Sequence, residues 1–267
     1  MIYTINNKIS IYQSGEPKNK AILFIHGFPY DHNMWEKQVE ELKSAYHCVT
    51  YDIRGLGSSP AGDGQLTMES FVDDVESIID SLKLERPVLC GLSMGGYIAF
   101  RCMERMQDKF SGLIICDSKP EADNNEAKLR RASGIKTINT EGVQKFVEDF
   151  VPGCFAPGSI SNSKIPYEEV LNRSMKFDPK GVKGCLLAML SRTDTTSYLS
   201  QIKIPTLIIC GEDDKLTPPE VMKLTSESIT HSEFFIIPEA GHMTPIENPK
   251  FVNKVILNFL KKHFARE

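Results

Sequence analysis

The chain has 267 residues, with 31 lysines and arginines against 35 aspartates and glutamates, a net charge of −4 and seven cysteines. That length suits one large α/β domain, or one with an inserted lobe, and the slight acidity offers no basic surface for nucleic acid or an anionic membrane. No long apolar run predicts a transmembrane helix, and Met1-Ile2-Tyr3-Thr4-Ile5-Asn6-Asn7 lacks the basic and apolar regions of a signal peptide.

The N-terminal stretch reads as a strand turning at Asn6-Asn7 into a second strand, Lys8 to Gln13. Ala21 to Ile25 is a continuous apolar run of strand length, as expected of a strand covered on both faces, and it ends in the turn His26-Gly27-Phe28-Pro29. Met34 to Leu42 is helical, with Trp35, Val39 and Leu42 on one side. His47 to Tyr51 is the next strand and runs into the glycine-rich loop Asp52-Ile53-Arg54-Gly55-Leu56-Gly57-Ser58-Ser59-Pro60. Thr67 caps a helix from Met68 to Leu82, whose apolar residues Phe71, Val72, Val75, Ile78, Ile79 and Leu82 keep helical spacing. The strand beginning at Val88 precedes a helix from Met94 to Met106, and Gly112 to Cys116 is a further strand ending at Asp117-Ser118. This alternation marks a parallel sheet with crossover helices.

The alternation stops after Asp117. Between Lys119 and about Ser200 the sequence offers helices only: Glu126 to Thr137, Gly142 to Phe150, Tyr167 to Phe177 and Lys180 to Leu190. Strands return with Ile204 to Cys210 and Glu233 to Ile237, alternating with helices from Pro218 to about Ser226 and from Pro249 to Lys262. The division expected is a core of residues 1–118 and 201–267 with a helical cap at 119–200, lying over the strand ends where ligands of parallel sheets bind. Cys48, Cys90, Cys116 and Cys210 fall in apolar strand-like runs, and no two cysteines have metal-ligand spacing. A reduced, cytoplasmic protein without disulfides is expected, with Cys90 a buried strand residue despite its closeness to Ser93.

Gly91-Leu92-Ser93-Met94-Gly95 has the G-x-S-x-G pattern between a strand and a helix. A nucleophile standing above a sheet needs a sharp turn whose flanking residues lack a Cβ, and the Met94 N–H at the helix start suits a developing anion. A serine nucleophile needs a base and an orienting carboxylate. Two strand ends supply them: Gly211-Glu212-Asp213-Asp214-Lys215-Leu216-Thr217-Pro218 and Pro238-Glu239-Ala240-Gly241-His242-Met243.

Taken with His26-Gly27-Phe28-Pro29, the Asp52 to Ser59 loop and Glu247-Asn248-Pro249, these stretches resemble the α/β-hydrolase superfamily over nearly the whole chain. The group most similar is that of the small esterases, lactonases and haloperoxidase-like enzymes, including the 3-oxoadipate enol-lactonase type. The resemblance implies an α/β-hydrolase fold, a mostly parallel sheet with helices on both faces and an inserted helical cap. It also implies a triad of Ser93, His242 and Asp214, the acid standing third after Gly211. Asp213 and Asp117, which also ends a strand, are the rivals for the acid. The oxyanion hole expected is the N–H groups of Phe28 and Met94. His26 is read as structural within its loop, and Asp52 with Arg54 as a loop-stabilising pair.

The activity expected is hydrolysis of a small or medium carboxylic ester or lactone through an acyl-enzyme, with no metal and no organic cofactor. A dehalogenase of this fold would carry Asp at position 93. C–C bond or amide hydrolysis on the same triad, and a non-catalytic ligand receptor, are the alternatives. Phe146, Phe150, Phe155, Met175, Phe177, Leu186 and Met189 are divided between cap packing and an acyl pocket, with Phe28, Trp35 and Met94 near the site. Arg130, Arg131, Arg173 and Arg192 are read as exposed unless one clamps a substrate carboxylate. The partner expected is a small-molecule substrate, with no nucleic acid and no membrane; a homodimer stays open.

Overall fold

Eight strands form one sheet in a computed structural model that describes residues 2–5, 9–161 and 167–264. In chain order they are β1 (Ile2–Ile5), β2 (Ile9–Ser14), β3 (Ala21–Ile25), β4 (His47–Tyr51), β5 (Val88–Leu92), β6 (Gly112–Cys116), β7 (Thr206–Gly211) and β8 (Ser232–Ile237). Their spatial order is β1-β2-β4-β3-β5-β6-β7-β8. β1 and β2 pair antiparallel with each other, β2 pairs antiparallel with β4, and every later pairing is parallel. The turn expected at Asn6-Asn7 lies outside the described residues.

The pattern of burial explains the pairing. β3, β4, β5, β6 and β7 are buried along their whole length, as apolar runs covered by helices on both faces must be. β8 at the sheet's edge is only partly covered, and Phe235 and Ile236 stay exposed there.

The helices are α1 (Glu36–Leu42), α2 (Met68–Leu82), α3 (Met94–Met106), α4 (Asn125–Glu141), α5 (Val143–Phe150), α6 (Pro157–Ser161), α7 (Tyr167–Ser174), α8 (Pro179–Leu190), α9 (Pro219–Glu227), α10 (Thr244–Glu247) and α11 (Pro249–Phe264). α2 begins and ends at the residues its periodicity predicts, because Thr67 and Ser70 cap its first turn reciprocally. The segment expected to be helical from Met34 splits into a 3-10 turn, His32–Trp35, followed by α1, with Asp31 capping the turn. Trp35 is fully buried against Phe24, with ring centroids 5.2 Å apart, so it belongs to the core under the sheet and not to the site as expected.

Between β6 and β7 the described residues form helices α4 to α8 and short 3-10 turns, with no strand. This segment meets the rest of the chain at several points, among them the loops that follow β3 and β4. The ring of Phe28 lies 6.0 Å from Phe146 and 5.8 Å from Phe150 on α5. The Ser174 hydroxyl on α7 donates to the Pro29 carbonyl. A Cβ at Gly181 on α8 would stand 1.8 Å from the Gly55 carbonyl oxygen, so the two backbones touch and neither position accepts a side chain. No described helix is long and apolar enough to cross a membrane.

Candidate active site

The turn after β5 is as sharp as its glycines require. Ser93 holds φ 52° and ψ −113°, a conformation that costs a non-glycine residue about 1–3 kcal/mol and persists only when its surroundings enforce it. A Cβ at Gly91 would lie 2.3 Å from the Gly95 carbonyl oxygen, and one at Gly95 would lie 2.3 Å from that of Ile25. The backbone therefore turns back on itself and against β3, leaving the Ser93 side chain at the head of α3.

Residues far apart in the chain meet at that hydroxyl. His242 Nε2 lies 2.8 Å from Ser93 Oγ, and His242 Nδ1 lies 2.8 Å from Asp214 Oδ2. An ionised carboxylate can only accept, so Nδ1 carries the ring proton and Nε2 is left to accept from the serine hydroxyl. Asp214 is fixed in turn. Its Oδ1 accepts the N–H groups of Leu216 and Thr217 at 2.8 and 3.1 Å, and the Thr217 hydroxyl donates to Oδ2. Burial alone would push the Asp214 carboxyl up, but the His242 charge and the hydrogen bonds from His242 and Thr217 outweigh it and bring the pKa down to about 2.

The rival acids lie elsewhere. Asp213 is exposed, and its N–H donates to the Ala240 carbonyl at 2.8 Å. Asp117 is buried and accepts the Gly211 N–H at 2.9 Å. His26 donates from Nδ1 to the Gly27 carbonyl at 2.8 Å within its loop, and its Nε2 also accepts the Ile53 N–H at 2.9 Å, tying two loops together. The expected pair of Asp52 with Arg54 does not form. Asp52 accepts from the His32 N–H and ring, the Tyr12 hydroxyl and the Ser58 N–H, whereas Arg54 points to Asp74 on α2. Sequence neighbourhood misled here, because the loop turns between the two side chains.

Two supporting residues lie inside the stretches that carry the resemblance, but the sequence assigned neither a role. Thr217, described above, is one. Glu247 on α10 is the other: it is buried, and its carboxylate accepts the N–H groups of Gly241 and Met243, on either side of His242, at 2.9 and 3.0 Å. The same carboxylate accepts the Ala156 N–H at 2.8 Å and the Ser159 hydroxyl at 2.6 Å from the helical segment, and the His242 N–H donates to the Cys154 carbonyl at 2.9 Å. Burial pushes the Glu247 carboxyl up, and its four donors pull the other way. Glu247→Ala strands those donors, and the expected loss is roughly 3 kcal/mol of stability. Urea unfolding measures it, and a loss below about 1 kcal/mol would remove Glu247 from this role.

A cavity of about 270 Å³ opens beside Ser93 and His242. Phe146, Phe150, Leu186 and Leu216 give it an apolar wall, whereas Phe155, Met175, Phe177 and Met189 do not line it. Lys119, Arg130, Arg131 and Asp123 line the other side. Arg130 is exposed and paired with Glu126, and Arg173 is turned to Glu169 and Asp31. Arg192 departs from the exposed reading. It is buried, stacks 3.9 Å above the Tyr97 ring and pairs with Asp123, which also takes Arg131. All seven cysteines are free and buried.

Comparison with known proteins supplies the family. Residues 22–255 match the model of the alpha/beta hydrolase family. The 3-oxoadipate enol-lactonase 1 of Acinetobacter baylyi is 28% identical over 254 residues, covering 95% of this chain and 93% of that protein. A thermophilic esterase from Thermogutta terrifontis, solved with malate bound, is 34% identical with a TM-score of 0.92, covering 96% of this chain and 94% of that one. The enol-lactonase of Burkholderia xenovorans shares the fold with a TM-score of 0.90 at 24% identity, covering 98% of this chain and 100% of that one. By its eight-stranded sheet, its serine turn and these relatives, the chain is a hydrolase that belongs to the alpha/beta hydrolase family.

Proposed function

We propose that the chain is a serine hydrolase cleaving a small or medium carboxylic ester or lactone through an acyl-enzyme. The observation that carries this reading is the pair of 2.8 Å contacts linking Ser93, His242 and Asp214 at the wall of the cavity. Ser93 Oγ attacks the ester carbonyl while His242 Nε2 takes its proton. Asp214 holds the ring tautomer and stabilises the imidazolium. The imidazolium then protonates the leaving alcohol, and water, deprotonated by the same imidazole, releases the acid from Ser93. The oxyanion falls to the N–H groups of Phe28 and Met94. Met94 is the first residue of α3, where N–H groups have no intrahelical partner, and neither N–H donates to another group among the described residues. One such donor is worth on the order of 10²–10³ in rate. A p-nitrophenyl ester assay with Ser93→Ala as control tests the reading.

In this reading residues 119–200 are a cap over the core formed by residues 1–118 and 201–267. The substrate is a small molecule held between the two. The free cysteines suit a reducing compartment, and we place the protein in the cytoplasm.

Charge in the cavity supports one feature of the substrate. Asp123 is a single carboxylate serving two guanidiniums, and the charges of Arg131 and Arg192 hold it below the usual range against the opposing effect of burial. Arg192 lies behind the cavity wall, where its charge also acts on Asp194, whereas Arg130, Arg131 and Lys119 line the cavity itself. Three cations against the one carboxylate of Asp123 leave the cavity lining positive, and such a lining favours an anionic ligand. We read the acyl group as one that carries a second carboxylate. Between p-nitrophenyl butyrate and p-nitrophenyl hemisuccinate, of equal chain length, kcat/KM should favour the acidic ester by about tenfold, equivalent to about 1.4 kcal/mol. Lys119→Met should reduce that preference while sparing the neutral ester. A wild type that favours the butyrate would remove the acidic acyl group and leave the esterase reading intact.

A further inference from the structure

The end of β6 touches all three loops of the site. The Cys116 carbonyl accepts the Ser93 N–H at 3.0 Å, and the Ser118 hydroxyl donates to the Ser93 carbonyl at 2.8 Å. Between them stands Asp117, fully buried, whose own N–H donates to the Ile209 carbonyl in β7 at 2.9 Å. One carboxyl oxygen accepts the Gly211 N–H at 2.9 Å, where the loop to Asp214 begins. The other meets the hydroxyl of Thr244, two residues past His242. Asp117 also holds a φ of 48°, in the left-handed region where Asp is one of the few side chains tolerated.

We propose that Asp117 is an uncharged positioning residue, tying the acid loop and the base loop to the strand end whose neighbouring residues hold the Ser93 backbone. The inference rests on the serine-hydrolase reading above. Asp117 lines no part of the cavity and makes no direct contact with Ser93, His242 or Asp214, so its effect passes through the backbone.

Its surroundings make the neutral form the native one. The groups facing it are the Gly211 N–H and Cys210 from β7, Asp214 from the following loop, Thr244 from α10 and Cys116 from its own strand. No lysine, arginine or histidine pairs with it among the described residues. The carboxyl oxygens of Asp117 and Asp214 and the Cys210 sulfur lie within 4.8 Å of one another. Two buried carboxylates at that range do not both ionise, and His242 and Thr217 already hold Asp214 in its anionic form. Burial, then the Asp214 charge, push the Asp117 carboxyl up. Gly211 donates to Oδ1 and the Thr244 hydroxyl to Oδ2, both pulling against that shift; a protonated Oδ2 keeps the second contact by donating in turn to the Thr244 oxygen. Asparagine has the same plan, an acceptor oxygen and a donor of equal reach, whereas alanine has neither.

The experiment pairs kinetics with infrared spectroscopy on the full chain. In the difference spectrum of wild type minus Asp117→Asn at pH 8, the carbonyl stretch of a buried protonated carboxyl is expected above the amide band. Its absence overturns the proposal whether or not the protein is an esterase. On p-nitrophenyl butyrate, Asp117→Ala is expected to lower kcat on the order of 10–100-fold with KM nearly unchanged, because small misplacements of reacting groups cost that much. Asp117→Asn is expected to restore kcat to within about threefold of wild type and to leave the acid limb of the kcat/KM profile in place. An Asp117→Asn enzyme as slow as Asp117→Ala overturns the proposal. So does an acid limb moved by about half a pH unit, which would report a lost negative charge near His242. Should Asp117→Ala not fold, Thr244→Val carries the test: a lower kcat at constant KM is expected, and an unchanged kcat overturns the proposal. A Ser93→Ala protein that still turns over the ester would instead sink the serine-hydrolase reading, which separates the two failures.

Discussion

Ser93→Ala is expected to lower kcat on a p-nitrophenyl ester by on the order of 10⁵–10⁶-fold, with the fold intact. The size follows from what is lost. Alanine leaves the imidazole with no oxygen to deprotonate, so no acyl-enzyme forms, and what remains is stabilisation of a water attack by the Phe28 and Met94 N–H groups. Alanine also fits the strained turn no worse than serine, since Ser93 makes no side-chain cap hydrogen bond to α3. Stability should therefore move little, and thermal unfolding checks that. A fluorophosphonate probe reads the same atom directly: wild type is expected to label at Ser93 and the variant not at all. A folded wild type that neither labels nor turns over ester would overturn the role given to Ser93.

The second large effect is expected at Asp214. Asp214→Asn should lower kcat by about 10⁴-fold with a small change in KM. The contacts show why a neutral isostere fails. Nδ1 of His242 faces Asp214 Oδ2 at 2.8 Å, and the Thr217 hydroxyl reaches the same oxygen. An amide placed there loses the charge that stabilises the imidazolium. Its NH₂ group, turned toward the ring, would also drive the ring proton to Nε2, where it blocks acceptance from Ser93. Asp213→Asn, at an exposed position, should stay within about twofold of wild type. Linkage adds a stability effect. The folded Asp214 carboxyl titrates at about 2 against an ordinary 3.8, so the stabilisation it gives is complete above the ordinary value and is lost as the pH falls through about 2. Asp213→Asn as damaging as Asp214→Asn would overturn the assignment of the acid.

How much of this is legible in the sequence depends on the range of the interaction. The serine turn announces itself because Gly91 and Gly95 are imposed by backbone contacts of 2.3 Å, a local demand that glycine alone meets. Asp214 and His242 could be named because they follow β7 and β8, neighbouring parallel strands whose ends share one edge. Helix α2 was readable to the residue because its cap is local. The supports were not readable in this way. Two of the four donors to Glu247 are local, Gly241 and Met243, but Ala156 and Ser159 lie about ninety positions away, and nothing near it in the chain announces them. Arg192 looks like any surface arginine until Asp123 and Tyr97 enclose it. Asp52 stands two residues from Arg54, yet finds its partners in Tyr12, His32 and Ser58.

The Glu247 contacts also govern how a ligand gets in and out. The stretch from Cys154 to Ser159 shares its hydrogen bonds with the backbone on both sides of His242, so raising it like a flap would drag the imidazole off the serine. Moving that edge and keeping the base in place are therefore incompatible. The cavity's lining carries Ala127 and the exposed Arg130 on α4, with Lys119 and Arg131 beside them, so an anion arriving there meets a basic surface.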